Sequence, residues 1–134
     1  MQRRDGRPRC CLEVVAVATR QALGRHGEQV AAEHLLGAGF VILERNWRSR
    51  IGEIDIVALD GETLVICEVK TRRGVGYGAP LEAVTRAKAA RLARLGWEYR
   101  RTSKRPAGPV RIDLVGVLLR RGQPPRVEHV RGVA

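Results

Sequence analysis

The spacing of apolar positions along the chain changes several times, and the changes divide it into elements. Between Thr19 and Ala38, the residues Leu23, Val30, Ala31, Leu35 and Ala38 recur at about the helical interval, with Gly37 and Gly39 as a stop. This predicts a first helix, and because Gly24 and Gly27 lower helical propensity its start falls between Thr19 and Gly27. Phe40 to Glu44 reads as a short strand, followed by the polar segment Arg45 to Arg50. Two β-rich runs, Glu53 to Leu59 and Thr63 to Thr71, flank Asp60-Gly61-Glu62 and predict a hairpin. After a Gly-rich loop, Arg73 to Pro80, a second helix is predicted from about Leu81 to Arg101, with Leu81, Val84, Lys88, Leu92, Leu95 and Tyr99 on one stripe. Pro106 and Pro109 bracket a connection, Arg111 to Leu119 forms an apolar strand, and Arg126 to Val130 a short terminal one.

Side chains alternate faces along a strand, so Glu53, Asp55, Val57 and Leu59 share one face of the hairpin, and Ile54, Ile56 and Ala58 the other. On the second strand Leu64, Ile66, Glu68 and Lys70 fall together, opposite the apolar set Val65, Cys67 and Val69. A turn centred on Asp60-Gly61 pairs Asp55 with Ile66, and one centred on Gly61-Glu62 pairs Asp55 with Glu68. Both place the two acids on one face, whereas an odd-length loop or a bulge separates them. Either even turn gathers Glu53, Asp55, Glu68 and Lys70 at the end of the hairpin away from its turn.

Charges beside a buried sheet are costly unless they are paired, metal-bound or open to a cleft. Mg²⁺ or Mn²⁺ takes hard carboxylate oxygens and often needs only one or two of them. Asp55 and Glu68 are the candidate ligands, and Lys70 is placed to position an attacking water or to neutralise charge growing on a phosphodiester. A solvated strand end with ordinary salt bridges would carry the same residues; the joint occurrence of the acid, the E-x-K triplet, an apolar opposite face and a basic chain favours the metal. Carboxyl groups held on opposite sides of the sheet, or too far apart to share an ion, would exclude it.

Composition narrows the setting. A chain of 134 residues that is 44% apolar builds one core, taken as a single domain over 20–134 after a poorly ordered leader, 1–19. Twenty-five Lys and Arg against 14 Asp and Glu give a net charge of +11, which attracts polyanions, although an Arg-rich proteome would produce the same balance. Cys10, Cys11 and Cys67 form neither a disulfide framework nor a zinc pattern, which fits a reducing cytoplasm. The apolar stretch Cys10 to Ala18 is short and broken by Glu13, so neither a membrane span nor a secretory signal is expected. Translation starting at Val14, Val15 or Val17 would make the Arg-rich leader dispensable.

Arg86, Lys88, Arg91, Arg94, Arg100, Arg101, Lys104 and Arg105 make the second helix and its exit a candidate phosphate-facing rim, or simply a solvated face. Lys88 stands out because it interrupts the apolar stripe. Gly74, Gly76 and Gly78 do not form a nucleotide-binding fingerprint, since Pro80 intervenes before the helix. Trp47 and Tyr77 are candidates for base stacking or for packing, and His26, His34 and His129 lack metal-ligand spacing.

Gly52-Glu53-Ile54-Asp55-Ile56, followed by Cys67-Glu68-Val69-Lys70-Thr71-Arg72, resembles the signature of the YraN-type family of predicted bacterial endonucleases. Gly24-Arg25-His26-Gly27-Glu28, Arg45-Asn46-Trp47-Arg48 and Arg111-Ile112-Asp113 extend the likeness over about residues 24 to 119. The resemblance implies the restriction-endonuclease-like PD-(D/E)xK fold, an α/β architecture with a central mixed β-sheet flanked by helices and similar to archaeal Holliday-junction resolvases. It further implies a catalytic set of Glu28, Asp55, Glu68 and Lys70, and Mg²⁺ or Mn²⁺ held by Asp55, Glu68 and the Val69 carbonyl. Lys88, Arg72, Arg91 and Arg94 are the candidate nucleic-acid contacts. The expected activity is metal-dependent hydrolysis of DNA phosphodiesters, with branched structures among the substrates; the alternative is a non-catalytic nucleic-acid-binding module in DNA repair, recombination or uptake. DNA is the expected partner, no membrane is, and a homodimer is left open.

Overall fold

The computed structural model describes residues 8–74, 85–105 and 108–133. Helix α1 (Pro8–Gly37) is followed by β1 (Val41–Ser49), β2 (Gly52–Asp60), β3 (Thr63–Arg73), α2 (Arg86–Thr102), β4 (Val110–Leu119) and β5 (Arg126–Val130). The strands form one five-stranded sheet in the order β1-β2-β3-β4-β5. Neighbours are antiparallel except for β3 and β4, which run parallel. A parallel pair needs a long crossover, and α2 lies in the one between β3 and β4.

The sheet separates two apolar layers. Ala31, Ala32 and Leu35 of α1 pack with Phe40 on Ile56, Ala58, Val65, Cys67, Val115 and Val117. On the other side, Leu92, Leu95 and Tyr99 of α2 pack on Ile54, Val57, Leu64, Ile66 and Ile112. Strands covered on both faces are apolar on both, which is why β2, β3 and β4 read as near-continuous hydrophobic runs. At Gly96 a Cβ would come 2.8 Å from Ile66 Cγ1, so the missing side chain lets α2 approach β3.

Three element boundaries differ from the sequence expectation. Helix α1 begins at Pro8, ahead of the window between Thr19 and Gly27, and runs through Gly24 and Gly27. Strand β1 continues through the polar segment to Ser49, because as an edge strand it can leave Glu44, Arg45, Asn46 and Arg48 in water while Trp47 turns inward. Helix α2 is capped by Thr85, whose Oγ1 accepts from the Lys88 N–H at 3.1 Å. Leu81, Val84, Tyr77, Gly76, Gly78, Pro80 and Pro106, and with them the first stripe positions and the Gly-rich loop, lie outside the described residues. Among the described residues no helix is long and apolar enough to cross a membrane.

Candidate functional site at a fork in the sheet

Asp60 pairs with Thr63, so the turn is Gly61-Glu62, with Gly61 at φ +62°, and the register is the one that sets Asp55 across from Glu68. The β2–β3 ladder runs only from Asp60↔Thr63 to Ile56↔Cys67. Beyond it each strand keeps its outer neighbour, β2 following β1 to Ser49↔Gly52 and β3 following β4 to Arg73↔Leu119. The sheet therefore forks, and Asp55, Glu68 and Val69 stand at the vertex. The Val69 N–H, with no ladder partner on β2, donates instead to Asp55 Oδ2 at 2.8 Å. A residue's N–H and C=O leave an antiparallel strand on the same side, so the Val69 carbonyl also faces the gap.

The rule of alternating faces fails at this vertex. Ile56 and Ala58 face α1 and Val57 faces α2, as alternation requires, yet Ile54 joins Val57 on the α2 side. Opposite, Arg45 pairs with Ile56 and donates to Gln29 of α1, whereas Trp47 pairs with Ile54 and meets Tyr99 of α2 edge-on. Asn46, between them, sits in the left-handed region at φ 55°. Both strands thus turn over at Asn46 and Asp55. The expectation that Glu53, Asp55, Val57 and Leu59 share one face is corrected accordingly. Asp55 opens into a recess of about 340 Å³ on the α1 side, lined by Leu23, Gly24, Glu28, Val69 and Thr71. Glu68 is met from the α2 side, by Lys88. The two acids reach the fork from its two sides, where no backbone ladder stands between them.

Helix α1 brings Glu28 to this recess through a close approach at Gly27. A Cβ there would lie 1.8 Å from Thr71 Oγ1, so only glycine lets the helix backbone rest on β3. The electrostatic consequence falls on Asp55. Burial raises its pKa, the Val69 N–H opposes the rise, and the charges of Glu28, Glu68 and Glu53 add to it, carrying the carboxyl up to about 6. Glu68 is half-buried between two ammonium groups: Lys88 forms an ion pair with Oε2, and Lys70 Nζ lies 3.8 Å from the same oxygen. The hydrogen bond to Glu68 holds Lys88 above the ordinary lysine value. Lys70 itself is half-exposed at the mouth of the fork.

This donor set fits a hard divalent cation. It offers the carboxylates of Asp55 and Glu68 and a carbonyl facing the same gap, and the raised Asp55 pKa reflects negative charge that the described residues do not fully balance. Among the described residues no three His, Cys, Asp or Glu side chains converge to cage an ion unaided, which suits an ion that keeps several of its waters.

The expected nucleic-acid contacts are scattered. Arg91 and Arg94 are exposed on the water side of α2, away from its buried stripe of Ala89, Leu92, Leu95, Gly96 and Tyr99, and Arg72 on β3 is half-buried. Lys88 instead points its ammonium at Glu68. The rim is also interrupted, since Arg100 stacks on Trp97 at 3.8 Å and Arg101 pairs with Glu98 at 2.7 Å. Trp47, half-buried against Tyr99, packs in the core.

A second polar cluster escaped sequence reasoning. Asp113, fully buried, accepts from Arg111 Nε at 2.8 Å, Arg111 Nη2 at 3.0 Å and the Gly132 N–H at 3.1 Å, and its Oδ2 lies 2.8 Å from His129 Nε2. His129 in turn stands 3.3 Å from His34 of α1. Burial pushes the Asp113 carboxyl up, but these hydrogen bonds outweigh it and hold the pKa below the usual range. The R-x-D spacing of Arg111 and Asp113 was a visible signal; His129 and His34 meet only through the fold.

The fold and this site define an α/β protein whose forked mixed sheet gathers carboxylates and lysines beneath a helix-borne glutamate. The profile described as "Uncharacterised protein family UPF0102" matches residues 27–117, a span that holds the fork, Glu28 and both lysines. A UPF0102 protein of Clavibacter michiganensis is 58% identical over 111 residues, covering 83% of this chain and 94% of the relative. One from Streptomyces coelicolor is 59% identical over 117 residues, covering 86% and 90%, and one from Kineococcus radiotolerans is 49% identical over 122 residues, covering 90% and 100%. The chain belongs to the UPF0102 family.

Proposed function

We propose that this protein is a Mg²⁺- or Mn²⁺-dependent endonuclease of restriction-endonuclease-like fold acting on DNA. The observation that carries the reading is the fork: β2 and β3 part where Asp55 faces Glu68, and Asp55 accepts the Val69 N–H that would otherwise pair across the ladder. Asp55 and Glu68 would hold the cation from the two sides of the gap, with the Val69 carbonyl as a further oxygen. When bound, such an ion supplies Lewis-acid polarisation of a phosphoryl oxygen.

The chain's own residues supply the rest. Hydrolysis adds water to phosphorus, breaks one P–O ester bond and leaves a proton on the departing oxygen. Lys70, half-exposed and fixed beside Glu68, orients the water and faces the negative charge that grows on the phosphoryl oxygens. Glu28, on the rim of the Asp55 recess, accepts a hydrogen bond from the water or from a hydrated cation. The net charge of +11 favours approach of a polyanion.

The test is a metal-dependence panel on linear, nicked, flapped and four-way DNA, with matched RNA. Cleavage should require Mg²⁺ or Mn²⁺ and fall by about 10² to 10³ in Lys70→Ala, with little change in DNA affinity. Wild-type cleavage by Lys70→Ala refutes the role of the lysine. Calorimetry adds a test of the shared ion, because Asp55→Asn and Glu68→Gln should each abolish Mn²⁺ binding; loss in one variant only means that the acids do not share it. The charge balance also supports a second reading, a non-catalytic nucleic-acid-binding module, which absence of Mn²⁺ binding at millimolar metal together with retained DNA binding would favour.

A further inference from the structure

We infer that Lys88 is a built-in counter-cation that holds Glu68 while no metal is bound and moves to a phosphate when nucleic acid arrives, so that substrate binding and metal loading promote each other. The inference rests on the reading of the fork as a metal site and adds a means of regulating it.

Three observations lead to it. Lys88 is the polar interruption in the inward stripe of α2, where Ala89, Leu92, Leu95 and Tyr99 are buried. An ammonium in that position needs an anion, and it finds Glu68, whose carboxylate is only 16% exposed. Glu68 therefore already carries a full positive charge at the oxygen where a divalent cation would bind, with Lys70 Nζ 3.8 Å away adding a second. A cation approaching Glu68 must displace the Lys88 ammonium or share the carboxylate with it, and either weakens metal binding.

Lys88 is not locked in place. Its side chain is 29% exposed, and it lies in the first turn of α2, beside exposed Arg91 and close to the half-exposed Lys70. A phosphodiester lying along this edge gives the ammonium an alternative anion without moving the helix. Glu68 is then released to the metal. Because linkage is reciprocal, a bound metal that takes Glu68 frees Lys88 for phosphate by the same factor. Lys88 is thus a positioning residue for charge at Glu68 rather than a member of the reacting set.

The first arm of the test uses Mn²⁺ alone, without nucleic acid. Calorimetry should show Lys88→Gln binding Mn²⁺ about three- to tenfold more tightly than wild type, the range expected for removing one competing, partly exposed ion pair, while Lys88→Arg stays within twofold of wild type. The second arm uses a labelled DNA duplex in EDTA, where no strand is cut. Lys88→Gln should change DNA affinity little in the wild-type background, because Glu68 holds the ammonium. In the Glu68→Gln background the same substitution should weaken DNA binding severalfold and lower the salt slope by about one. Equal Mn²⁺ affinities for wild type and Lys88→Gln, or equal DNA effects in both backgrounds, overturn the coupling and leave the metal site standing. Failure of wild type and Lys88→Gln alike to bind millimolar Mn²⁺ overturns both the coupling and the metal-site reading beneath it.

Discussion

Replacing Asp55 by Asn removes a charge that the fold holds at a cost. With the carboxyl carried from 3.8 to about 6, its ionised form is disfavoured in the folded protein by about 3 kcal/mol. The sign follows from proton linkage. A carboxyl whose pKa is raised on folding holds its proton more tightly in the native state, so stability falls as pH rises from about 4 to about 6 and the cost is fully present above that. Asn keeps an oxygen to accept the Val69 N–H and carries no charge, though its amide needs new partners among Glu28 and Glu68. A net gain of about 1–2 kcal/mol at pH 8 is therefore expected for the metal-free protein, about 3–8 °C in Tm. Paired melts of wild type and Asp55→Asn in EDTA from pH 4 to pH 8 measure it, since the difference between the two cancels the titration of groups they share. The advantage should shrink towards zero near pH 4. Added Mn²⁺ should reverse the order, stabilising wild type by about 2.7 kcal/mol at a hundredfold excess over Kd and leaving the variant unmoved. Equal stabilities at pH 8, or a gain as large at pH 4, would refute the argument that carboxylate repulsion and burial set the state of this site.

Two further substitutions probe how the fold supports the fork. Gly27→Ala should destabilise by about 1–3 kcal/mol despite better helical propensity, because its Cβ would fall 1.8 Å from Thr71 Oγ1; Thr71→Ala in the same chain should recover part of the loss in urea melts, and additive effects would show that the contact is not the cause. Asp113→Asn should cost about 3–5 kcal/mol at neutral pH by stripping the charge partner from Arg111 inside the sheet. Since the Asp113 pKa is held down, that stabilisation is present above the ordinary aspartate value and is lost as pH falls through the lowered one, so the penalty measured by urea unfolding should diminish in acid.

Much of the candidate site was legible along the chain because it depends on short-range order. The hairpin, its register and the opposition of Asp55 and Glu68 follow from two β-rich runs and one Gly-containing turn. Lys70 follows from its offset of two residues from Glu68. What local pattern could not supply was the turnover at Asn46 and Asp55, which depends on one left-handed residue in the neighbouring strand. Simple alternation therefore placed the two acids on one face, where the folded chain has them meeting across a gap.

The sequence by itself determined the helix and strand types, the β2–β3 turn and the residues able to bear the chemistry, since period, turn residues and charge are properties of neighbours in the chain. Only the tertiary structure decided that the sheet forks at Asp55, that Gly27 seats Glu28 beside it, that Lys88 turns to Glu68 and that His34 and His129 converge on Asp113. Those juxtapositions join residues far apart in sequence. They are set by how two helices pack on opposite faces of one sheet, a balance of burial and close approach that no local window contains.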